Sequence, residues 1–407
     1  MTNDYRIVFV ENSNEPMGIE FLEDVLTFKV PKTFRIEENE KINRRNLLLF
    51  VKSLNLSDTA QRSEIWKSGE KGNSWPIDSY IWIIRDFLEN GYYYNREKKY
   101  SNTAKGKIDW KKTMKQMPII SNCNVIYDKL ITSVSSPSND LIAQIYKLCL
   151  KIAQSRIGWV FGYNLFIEVN INNSLAEMKR TVSNESNLTF DDVKRLRFKH
   201  MLNILNSISE KNLSNSQFSY LINNYYYVFE TMVDKLLGGV SEKEWEKYNP
   251  KGSWSLLGYK KKFVKPLETD TILKELGNTY IIDAKMYKYG FTGEIRDLPG
   301  SDSIQKQITY GDHAKNKLDN KVRNAFIVPF DKKNHKLDKI NYEKTSNDNM
   351  IFVGYAKGDW REQGNDHDKI YTYLIDFNYV LENYHTKDVT MVRNLCDDIE
   401  KHISLIK

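Results

Sequence analysis

The sequence predicts a multidomain protein of the α+β class. Its 407 residues are enough for two or three domains, each with a core of its own. Two features of the last third indicate this class: an amphipathic helix at Tyr220–Leu237 and a pair of strands at Leu267–Tyr287. We predict an N-terminal mixed β/α region (residues 1–100), a largely helical middle region that contacts a partner or DNA (101–215) and a C-terminal α/β/α domain (216–407).

Composition excludes several classes of protein. The three cysteines, Cys123, Cys149 and Cys396, are widely spaced, which argues against a disulfide framework and a zinc site. The N-terminus is polar, and no apolar run approaches the roughly 20 residues of a membrane span. The excess of 60 Lys+Arg over 53 Asp+Glu permits a nucleic-acid partner without requiring one. We therefore expect a soluble, cytoplasmic protein.

The first half alternates short strands and helices. A polar run at Thr181–Asn187 is the best candidate for a linker. The predicted strands are Tyr5–Val10, Val25–Ile36, Tyr92–Tyr100, Val125–Ser135 and Trp159–Asn170, and the predicted helices are Arg44–Leu56, Tyr80–Leu88, a helix from a cap at Asp140 to about Gln154, and one from Thr189 to about Ser207.

Two basic segments of the middle region each have two interpretations. The segment Lys105–Pro118 carries five lysines around Trp110 and Ile108. Either its lysines contact phosphates while the ring stacks, or the two apolar side chains anchor it to the core, which we favour for Trp110. The helix after Thr189 carries Lys194, Arg195, Arg197 and Lys199. Its basic face is either a DNA surface or a solvated one.

The helix at Tyr220–Leu237 carries an acid at the border of its apolar face. Its apolar residues follow the i, i+3, i+4, i+7 spacing of a core-facing helix, and Gly238-Gly239 ends it. Glu230 lies beside Val233 and Leu237 on this helix. It is either a solvated flanking residue or a third acid near the hairpin that follows.

The hairpin brings two acids and a lysine together. If its turn is centred between Leu276 and Gly277, Asp270 lies opposite Asp283, and Lys285 shares the face of Asp283. Carboxylates opposed at roughly 4.5–5.5 Å repel each other, and Mg²⁺ with its preference for oxygen ligands would relieve the repulsion. Lys285 would then orient or deprotonate a water. The alternative is an exposed hairpin with a surface ion pair.

The elements after the hairpin complete a β-β-α-β order. A helix capped by Ser301 or Asp302 runs to about His313 and places Gln307 and Tyr310 on one face, where they could position a phosphate or a water. The buried strand Asn324–Phe330 follows it. The remaining predictions are strands at Ile351–Tyr355 and Tyr371–Ile375 and helices at Asn378–Tyr384 and Met391–Ile406.

This order of elements resembles the PD-(D/E)xK nuclease fold, also called restriction-endonuclease-like. The resemblance covers roughly Tyr220–Phe330. The proline of the literal motif is missing, because Thr269 precedes Asp270.

A finer resemblance is to the LlaJI-type restriction endonucleases, which are similar to the McrC nuclease subunit of McrBC. It rests on Gly106-x-Ile108-x-Trp110-x-x-Thr113, on Phe229-Glu230, and on the Asp270 and Asp283-Ala-Lys285 hairpin with its following helix. The resemblance implies Mg²⁺-dependent cleavage of double-stranded DNA, driven by a separate AAA+ GTPase on which the N-terminal region docks. Mn²⁺ is expected to substitute for Mg²⁺ in this cleavage.

These observations give a hypothesis with named roles. Asp270, Asp283 and the Ala284 carbonyl bind Mg²⁺, Lys285 stabilises the transition state, and Glu230 and Gln307 assist. The chain has no Gly-x-x-x-x-Gly-Lys-Ser/Thr loop, so a motor would be another polypeptide. Such a system would defend against foreign DNA. The alternatives are a stand-alone nuclease of repair or mobile-element processing and a non-catalytic, DNA-binding activator of an AAA+ motor.

Overall fold

The computed structural model describes residues 5–22, 25–56, 76–102, 106–121, 124–138, 140–161, 165–208, 218–317, 321–333, 341–361 and 364–405. The chain forms two compact units, one of Met1–Gly72 with Gln217–Lys407 and one of Asn73–Ser216. This division differs from the three predicted regions. The N-terminal segment belongs with the C-terminal region, and the middle unit begins at residue 73 rather than near residue 101.

In the described part of the N-terminal segment of the first unit, three strands precede a helix and a 3₁₀ turn. Its elements are β1 (Tyr5–Val10), β2 (Met17–Leu22), β3 (Val25–Pro31), α1 (Glu40–Ser53) and a 3₁₀ turn (Leu54–Leu56). Strand β1 pairs in parallel with β3, and β2 pairs antiparallel with β3. Strand β3 ends at Pro31, which has no N–H to continue a ladder. The predicted strand Tyr5–Val10 is confirmed. The strand predicted at Val25–Ile36 ends at Pro31, and the helix predicted at Arg44–Leu56 begins earlier, at Glu40, and ends in the 3₁₀ turn. Strand β2 was not predicted.

The second unit is built mainly of helices. Its elements are α2 (Ile77–Asn90), β4 (Asn95–Ser101), β5 (Lys107–Ile108), α3 (Trp110–Thr113), β6 (Ile119–Ser121), β7 (Asn124–Ile126), β8 (Thr132–Ser138), α4 (Leu141–Ile157), a 3₁₀ turn (Gly158–Val160), α5 (Leu175–Leu188) and α6 (Asp192–Asn206). Asp140 caps α4 as predicted, since its side chain accepts a hydrogen bond from the Ala143 N–H. Helices α2, α4 and α6 pack against one another.

A buried ion pair joins two of these helices. Arg197 of α6 donates through Nε and Nη2 to Asp86 of α2 at 2.7 Å each. Tyr146 and Asn90 donate to the same carboxylate at 2.9 and 3.0 Å. Arg197 is therefore not part of a basic surface, which corrects its predicted place on an exposed face.

Three predictions for this unit are wrong. The run Thr181–Asn187 is not a linker but lies within α5, which a capping box of Ser174 and Glu177 begins. Helix α5 buries one apolar stripe and turns its polar residues to solvent. The segment Trp159–Asn170 contains a 3₁₀ turn and irregular chain rather than a strand, and residues 162–164 lie outside the described part. Trp110 is 55% exposed and does not anchor its segment.

Thr113 is the buried residue of that segment. It is fully buried, and its Oγ1 accepts a hydrogen bond from the Ile131 N–H at 3.1 Å. The strand predicted at Val125–Ser135 is split into β7 and β8, and the chain turns between them.

The C-terminal part of the first unit carries the largest sheet. Its elements are β9 (Phe218–Ile222), α7 (Tyr226–Leu237), α8 (Glu242–Trp245), a 3₁₀ turn (Glu246–Tyr248), β10 (Ser253–Trp254), β11 (Lys262–Phe263), β12 (Thr271–Glu275), β13 (Asn278–Ala284), α9 (Tyr289–Thr292), a 3₁₀ turn (Ile295–Asp297), α10 (Ser301–Lys317), β14 (Val322–Phe330), β15 (Glu343–Lys344), β16 (Met350–Ala356), β17 (Ile370–Asp376), α11 (Phe377–Asn383) and α12 (Val389–Leu405).

The start of the helix predicted at Tyr220–Leu237 is a strand. Tyr220 and Ile222 are buried on alternate positions of β9, which pairs antiparallel with β2. Asn224 adopts a left-handed φ of 56°, which separates the strand from α7. The alternating burial of this short segment is that of a strand, although its apolar residues also fit the helical spacing of α7.

The described residues form a six-stranded mixed sheet in the order β12-β13-β14-β17-β16-β15. Helix α10 connects β13 to β14, which are parallel. Tyr310 and Ala314 of α10 pack with Ile281. Tyr280 projects to the other face of β13 and donates to Glu400 of α12 at 3.1 Å. Helices therefore cover both faces of β13, as the predicted α/β/α layering requires, and the α+β class is confirmed.

Arg35 ties the N-terminal segment to this sheet. Its guanidinium donates to both oxygens of Asp376 at 2.7 and 3.2 Å and to Asp331 at 3.0 Å. Its backbone N–H donates to Asn378 Oδ1 at 2.9 Å. Because these bonds join residues more than 290 positions apart in the sequence, a sequence-based boundary could not place them in one unit. No helix among the described residues is long and apolar enough to cross a membrane.

Candidate active site

The hairpin of β12 and β13 fixes the candidate site. Leu276 and Gly277 both have positive φ values, 53° and 74°, as a tight two-residue turn requires. The ladder pairs Thr271 with Ile282, and the same register places Asp270 opposite Asp283. This is the register predicted from the sequence.

Lys285 brings three carboxylates together. Its Nζ lies 3.0 Å from Asp283 Oδ1, 3.7 Å from Asp270 Oδ2 and 3.6 Å from Glu230 Oε1. Asp270 Oδ2 also accepts a hydrogen bond from the Ala284 N–H at 3.0 Å. Four of the residues predicted for the site, from α7 and both strands, therefore form one cluster, and the interpretation as an exposed surface pair does not hold.

The cluster shifts the pKa values of its members. Burial, together with the charges of Asp283 and Glu230, raises the pKa of Asp270 well above its usual value. Burial raises the pKa of Glu230 to about 7, although Lys285 opposes the rise. Burial would lower the pKa of Lys285, but the three carboxylates outweigh it and raise that pKa. Lys285 is thus a permanent cation at neutral pH, which disfavours the predicted alternative that it deprotonates a water.

A cavity of about 610 Å³ opens above the cluster. Glu230, Asp270 and Lys285 line it, whereas Asp283 is only 2% exposed and lies beneath them. Lys306 of α10 and Tyr226 of α7 line it as well. The sequence placed Lys306 near Gln307 on this helix without giving it a catalytic role, and it did not indicate Tyr226. Tyr226 precedes Glu230 by four residues, so the two side chains lie on the same face of α7. This spacing could have indicated from the sequence that Tyr226 lies near the site.

The residues present fit a hard divalent cation. Asp283 Oδ1 is buried and accepts no hydrogen bond from the described residues, and its contact with Lys285 is an ion pair. Three carboxylates face the single Lys285 ammonium, so the cluster carries more negative than positive charge, and a further cation would balance it. Asp270 adds a second carboxylate from the facing strand. Together they offer the oxygen atoms that Mg²⁺ prefers.

A second acidic group lies elsewhere on the sheet. Asp312, His367 and Asp368 have ligand atoms within 4.8 Å of one another, the one such trio of His, Cys, Asp or Glu in the described ranges. Arg361 already contacts both carboxylates, and His367 Nε2 lies 2.9 Å from Asp312 Oδ1. This group is an ion-paired and hydrogen-bonded network that holds α10 to the segment before β17.

Gln307 does not reach the cavity. Its side chain is fully buried, and its Nε2 donates to the Ile281 carbonyl at 2.8 Å. Asn324 donates to the Gln307 backbone carbonyl at 3.1 Å. Gln307 therefore joins α10 to β13 and β14, and the predicted contact with a phosphate or a water is not seen. Lys306, its neighbour, is the α10 residue that lines the cavity.

Comparison with known proteins identifies a family. The LlaJI restriction endonuclease family matches residues 17–353. No curated protein matches the sequence.

Two solved structures of Thermococcus gammatolerans proteins resemble the chain. The first is a refined half-complex from a tetradecameric assembly of McrB AAA+ hexamers with bound McrC. The similarity has a TM-score of 0.40 and 12% identity over 94% of this chain and 82% of that one. The second is the cryo-EM structure of the McrBC complex, with a TM-score of 0.24 and 13% identity over 53% of this chain and 63% of that one. Both TM-scores lie below 0.5, so the family assignment rests on the sequence match. Because that match covers most of the chain, the recognition made from the sequence is confirmed: the protein belongs to the LlaJI restriction endonuclease family.

Proposed function

We propose that this protein is a Mg²⁺-dependent endonuclease that cleaves double-stranded DNA as the nuclease subunit of a restriction system. Membership of the family implies an endonuclease. The observation that carries the finer proposal is the Lys285 ammonium, which lies among Asp270, Asp283 and Glu230 beside an open cavity. A phosphodiester is an anion, and a buried cation next to metal-binding carboxylates suits its hydrolysis.

The roles of the two aspartates follow from their positions. Asp270, just before β12, and Asp283 of β13 would hold Mg²⁺, with the Ala284 carbonyl as a further ligand. When bound, Mg²⁺ supplies Lewis-acid polarisation of the scissile phosphate. The Asp270 carboxylate is already oriented, because it accepts a hydrogen bond from the Ala284 N–H. Mn²⁺ has similar ligand preferences and substitutes for Mg²⁺.

Lys285 and Glu230 act on the reacting phosphate and water. Lys285 stays protonated and stabilises the negative charge that develops on the phosphoryl oxygens. Glu230 lines the same cavity and accepts a hydrogen bond from the attacking water. Lys306, whose charge acts on Glu230, adds a second cation for the DNA backbone. Gln307 acts through its hydrogen bond to the Ile281 carbonyl, which holds β13 against α10.

The PD-(D/E)xK fold is part of this proposal. What supports it is the order of elements: α7 with Glu230, β12 preceded by Asp270, β13 with Asp283, helix α10 and the buried strand β14. The parallel pairing of β13 with β14 across α10 fits the same arrangement.

A separate AAA+ GTPase is the proposed partner. The motifs that resemble LlaJI-type enzymes imply such a motor, and the sequence contains no P-loop of its own. Cleavage is then expected to require GTP and the second polypeptide, and the type of restriction system follows from whether the motor is needed.

Cleavage of a supercoiled plasmid tests the proposal. The full chain is assayed with Mg²⁺, alone and with a candidate partner GTPase and GTP, and compared with Asp283→Asn and Asp397→Asn. Asp397 is an exposed acid of α12 and serves as the control for loss of one charge. We expect cutting by the native chain and the control and none by Asp283→Asn. Equal cutting by all three chains would exclude the assigned site.

A further inference from the structure

A small hairpin protrudes directly before the first acid of the site. Residues 250–267, here called the basic hairpin, contain β10 and β11, which pair Ser253 with Phe263 and Trp254 with Lys262. Backbone hydrogen bonds close its base, from the Leu267 N–H to the Pro250 carbonyl at 3.0 Å. The hairpin is therefore an ordered extension of the chain rather than an irregular loop.

Its base is fixed to the active site. Thr269 donates through its backbone N–H and Oγ1 to Asn249 Oδ1, at 3.2 Å each, and both residues are buried. Trp245 Nε1 donates to the Thr269 carbonyl at 3.0 Å. Since Asp270 is the next residue, the position of the basic hairpin is coupled to that of the proposed metal ligand.

The basic hairpin has charge of one sign. It contains five lysines and no aspartate or glutamate. All five lysines are exposed: Lys251, Lys260, Lys261, Lys262 and Lys265. Lys265 forms an ion pair with Glu268, just after the hairpin, at 3.6 Å, whereas the run Lys260–Lys262 has no acid within the hairpin. The neighbouring charges of this run repel one another, and binding to an anionic polymer relieves the repulsion.

Apolar side chains stand among these lysines without cover. Leu257 is fully exposed, Tyr259 is 78% exposed and Trp254 is 64% exposed. Leu257 lies at the tip, in a turn closed by a hydrogen bond from the Tyr259 N–H to the Leu256 carbonyl at 3.1 Å. Gly258 has a φ of 80°, as the third position of a type II turn requires. Exposed apolar groups on a charged hairpin mark a contact surface.

Cavities flank the basic hairpin on both sides. The active-site cavity includes Lys265 and Leu267, which follow the second strand of the hairpin. A second cavity of about 480 Å³ is lined by Lys251 and Phe263 of the hairpin together with Lys247, His313 and Lys317. Lysine side chains of the hairpin thus line both cavities, together with acids such as Glu268 at the first and Glu246 at the second.

We propose that the basic hairpin is a contact for duplex DNA that holds the substrate over the active-site cavity. Lys260, Lys261 and Lys262 bind phosphates, and Leu257 and Tyr259 lie against the bases in a groove, as apolar side chains of groove-binding proteins do. The absence of acids and the adjacent phosphodiester site favour DNA over a protein partner. This inference rests on the proposed function and adds a substrate-binding site to it.

Binding measured without divalent metal tests the inference independently of cleavage. Fluorescence anisotropy with the full chain, a labelled duplex and EDTA gives Kd over a range of salt concentrations. The variant is Lys260→Ala/Lys261→Ala/Lys262→Ala, and the matched control is Lys41→Ala/Lys344→Ala/Lys401→Ala, which removes three exposed lysines from other elements. We expect the hairpin variant to bind at least about tenfold more weakly, with a slope of log K against log salt that is smaller by about 2–3. The control is expected to match the native chain.

A second variant separates the groove contact from the charge. Leu257→Ser/Tyr259→Ser is expected to weaken binding without changing the salt slope, because it removes no cation. Native affinity and slope in the lysine variant would overturn the inference, as would a native chain that binds no duplex. A chain that binds through the hairpin but never cuts DNA would instead contradict the proposed function alone.

Discussion

Lys285 Nζ lies 3.0 Å from Asp283 Oδ1, two residues back on the same face of the chain. The Lys285 N–H donates to the Ile327 carbonyl at 2.8 Å, so the pairing with β14 continues one residue past the end of β13. The backbone of two buried strands therefore sets the distance between this cation and this anion. A site built on strands in this way keeps its geometry better than one built on loops.

Asp270→Asn is expected to abolish the response of thermal stability to Mg²⁺. The raised pKa of Asp270 shows that its charged form is disfavoured in the metal-free protein. The amide should therefore leave the metal-free Tm unchanged or raise it by a few degrees, equivalent to about 1 kcal/mol. Native protein should gain Tm as Mg²⁺ is added.

Differential scanning calorimetry over a Mg²⁺ titration measures this effect. Asp397→Asn, which removes an exposed carboxylate, should respond as the native chain does. An equal Mg²⁺-dependent rise in Asp270→Asn would show that Asp270 is not a ligand.

We expect the free energy of unfolding of the metal-free protein to fall as pH rises, because of Glu230. Its pKa is raised to about 7 in the folded protein, against roughly 4.3 for an unperturbed glutamate. Between these values the folded state holds a proton that the unfolded state has lost, so the group's stabilising contribution disappears as pH rises through about 7. Urea denaturation in EDTA at several pH values measures the slope. Glu230→Gln should reduce the dependence of the free energy of unfolding on pH. An unchanged dependence would contradict the raised pKa of Glu230.

Asp86→Asn is expected to destabilise the second unit by about 3–5 kcal/mol, because it leaves the buried Arg197 without its anion. The matched control is Glu89→Gln, an exposed acid on the same helix, which should change the free energy of unfolding by less than about 0.5 kcal/mol. Denaturant unfolding followed by circular dichroism separates the two. A native-like midpoint for Asp86→Asn would show that the pair contributes little.

Because of the Asp86 carboxylate, we also expect the stability of the second unit to fall in acid. Burial opposes ionisation, but the hydrogen bonds and charge of Arg197 outweigh it and lower the pKa of Asp86. Its contribution is present above the unfolded pKa of roughly 3.9 and is lost as pH falls toward the lower folded value. In Asp86→Asn the loss of stability below about pH 4 should be smaller, and an equal loss would argue against the pair as its source.

Local patterns were enough to predict much of the site. The positive-φ turn at Leu276-Gly277 fixes the register, and the register alone places Asp270 opposite Asp283. The apolar spacing of α7 turns Glu230 toward the same point. These features depend on neighbours within about 20 residues or on one helical face, which periodicity detects.

The predictions that were wrong concern residues whose contacts are distant in the sequence. Arg197 looks like one of several surface cations until Asp86, 111 residues away, is placed beside it. The sequence gives Gln307 no partner other than a substrate, whereas in the structure its Nε2 donates to the Ile281 carbonyl of β13. The segment at Tyr220 becomes a strand because β2 is available to pair with it. In each case a tertiary contact overrides a valid local pattern.

Plasmid cleavage by Lys285→Ala tests the central claim most directly. The native chain and the variant are compared in Mg²⁺ and in Mn²⁺ with the proposed partner GTPase and GTP present, and Lys401→Ala, an exposed lysine of α12, is the control. We expect the rate of Lys285→Ala to fall by about 10²-fold or more in both metals, because the cation that meets the developing charge is gone. The control should cut as the native chain does. A near-native rate for Lys285→Ala would contradict the assignment of the active site.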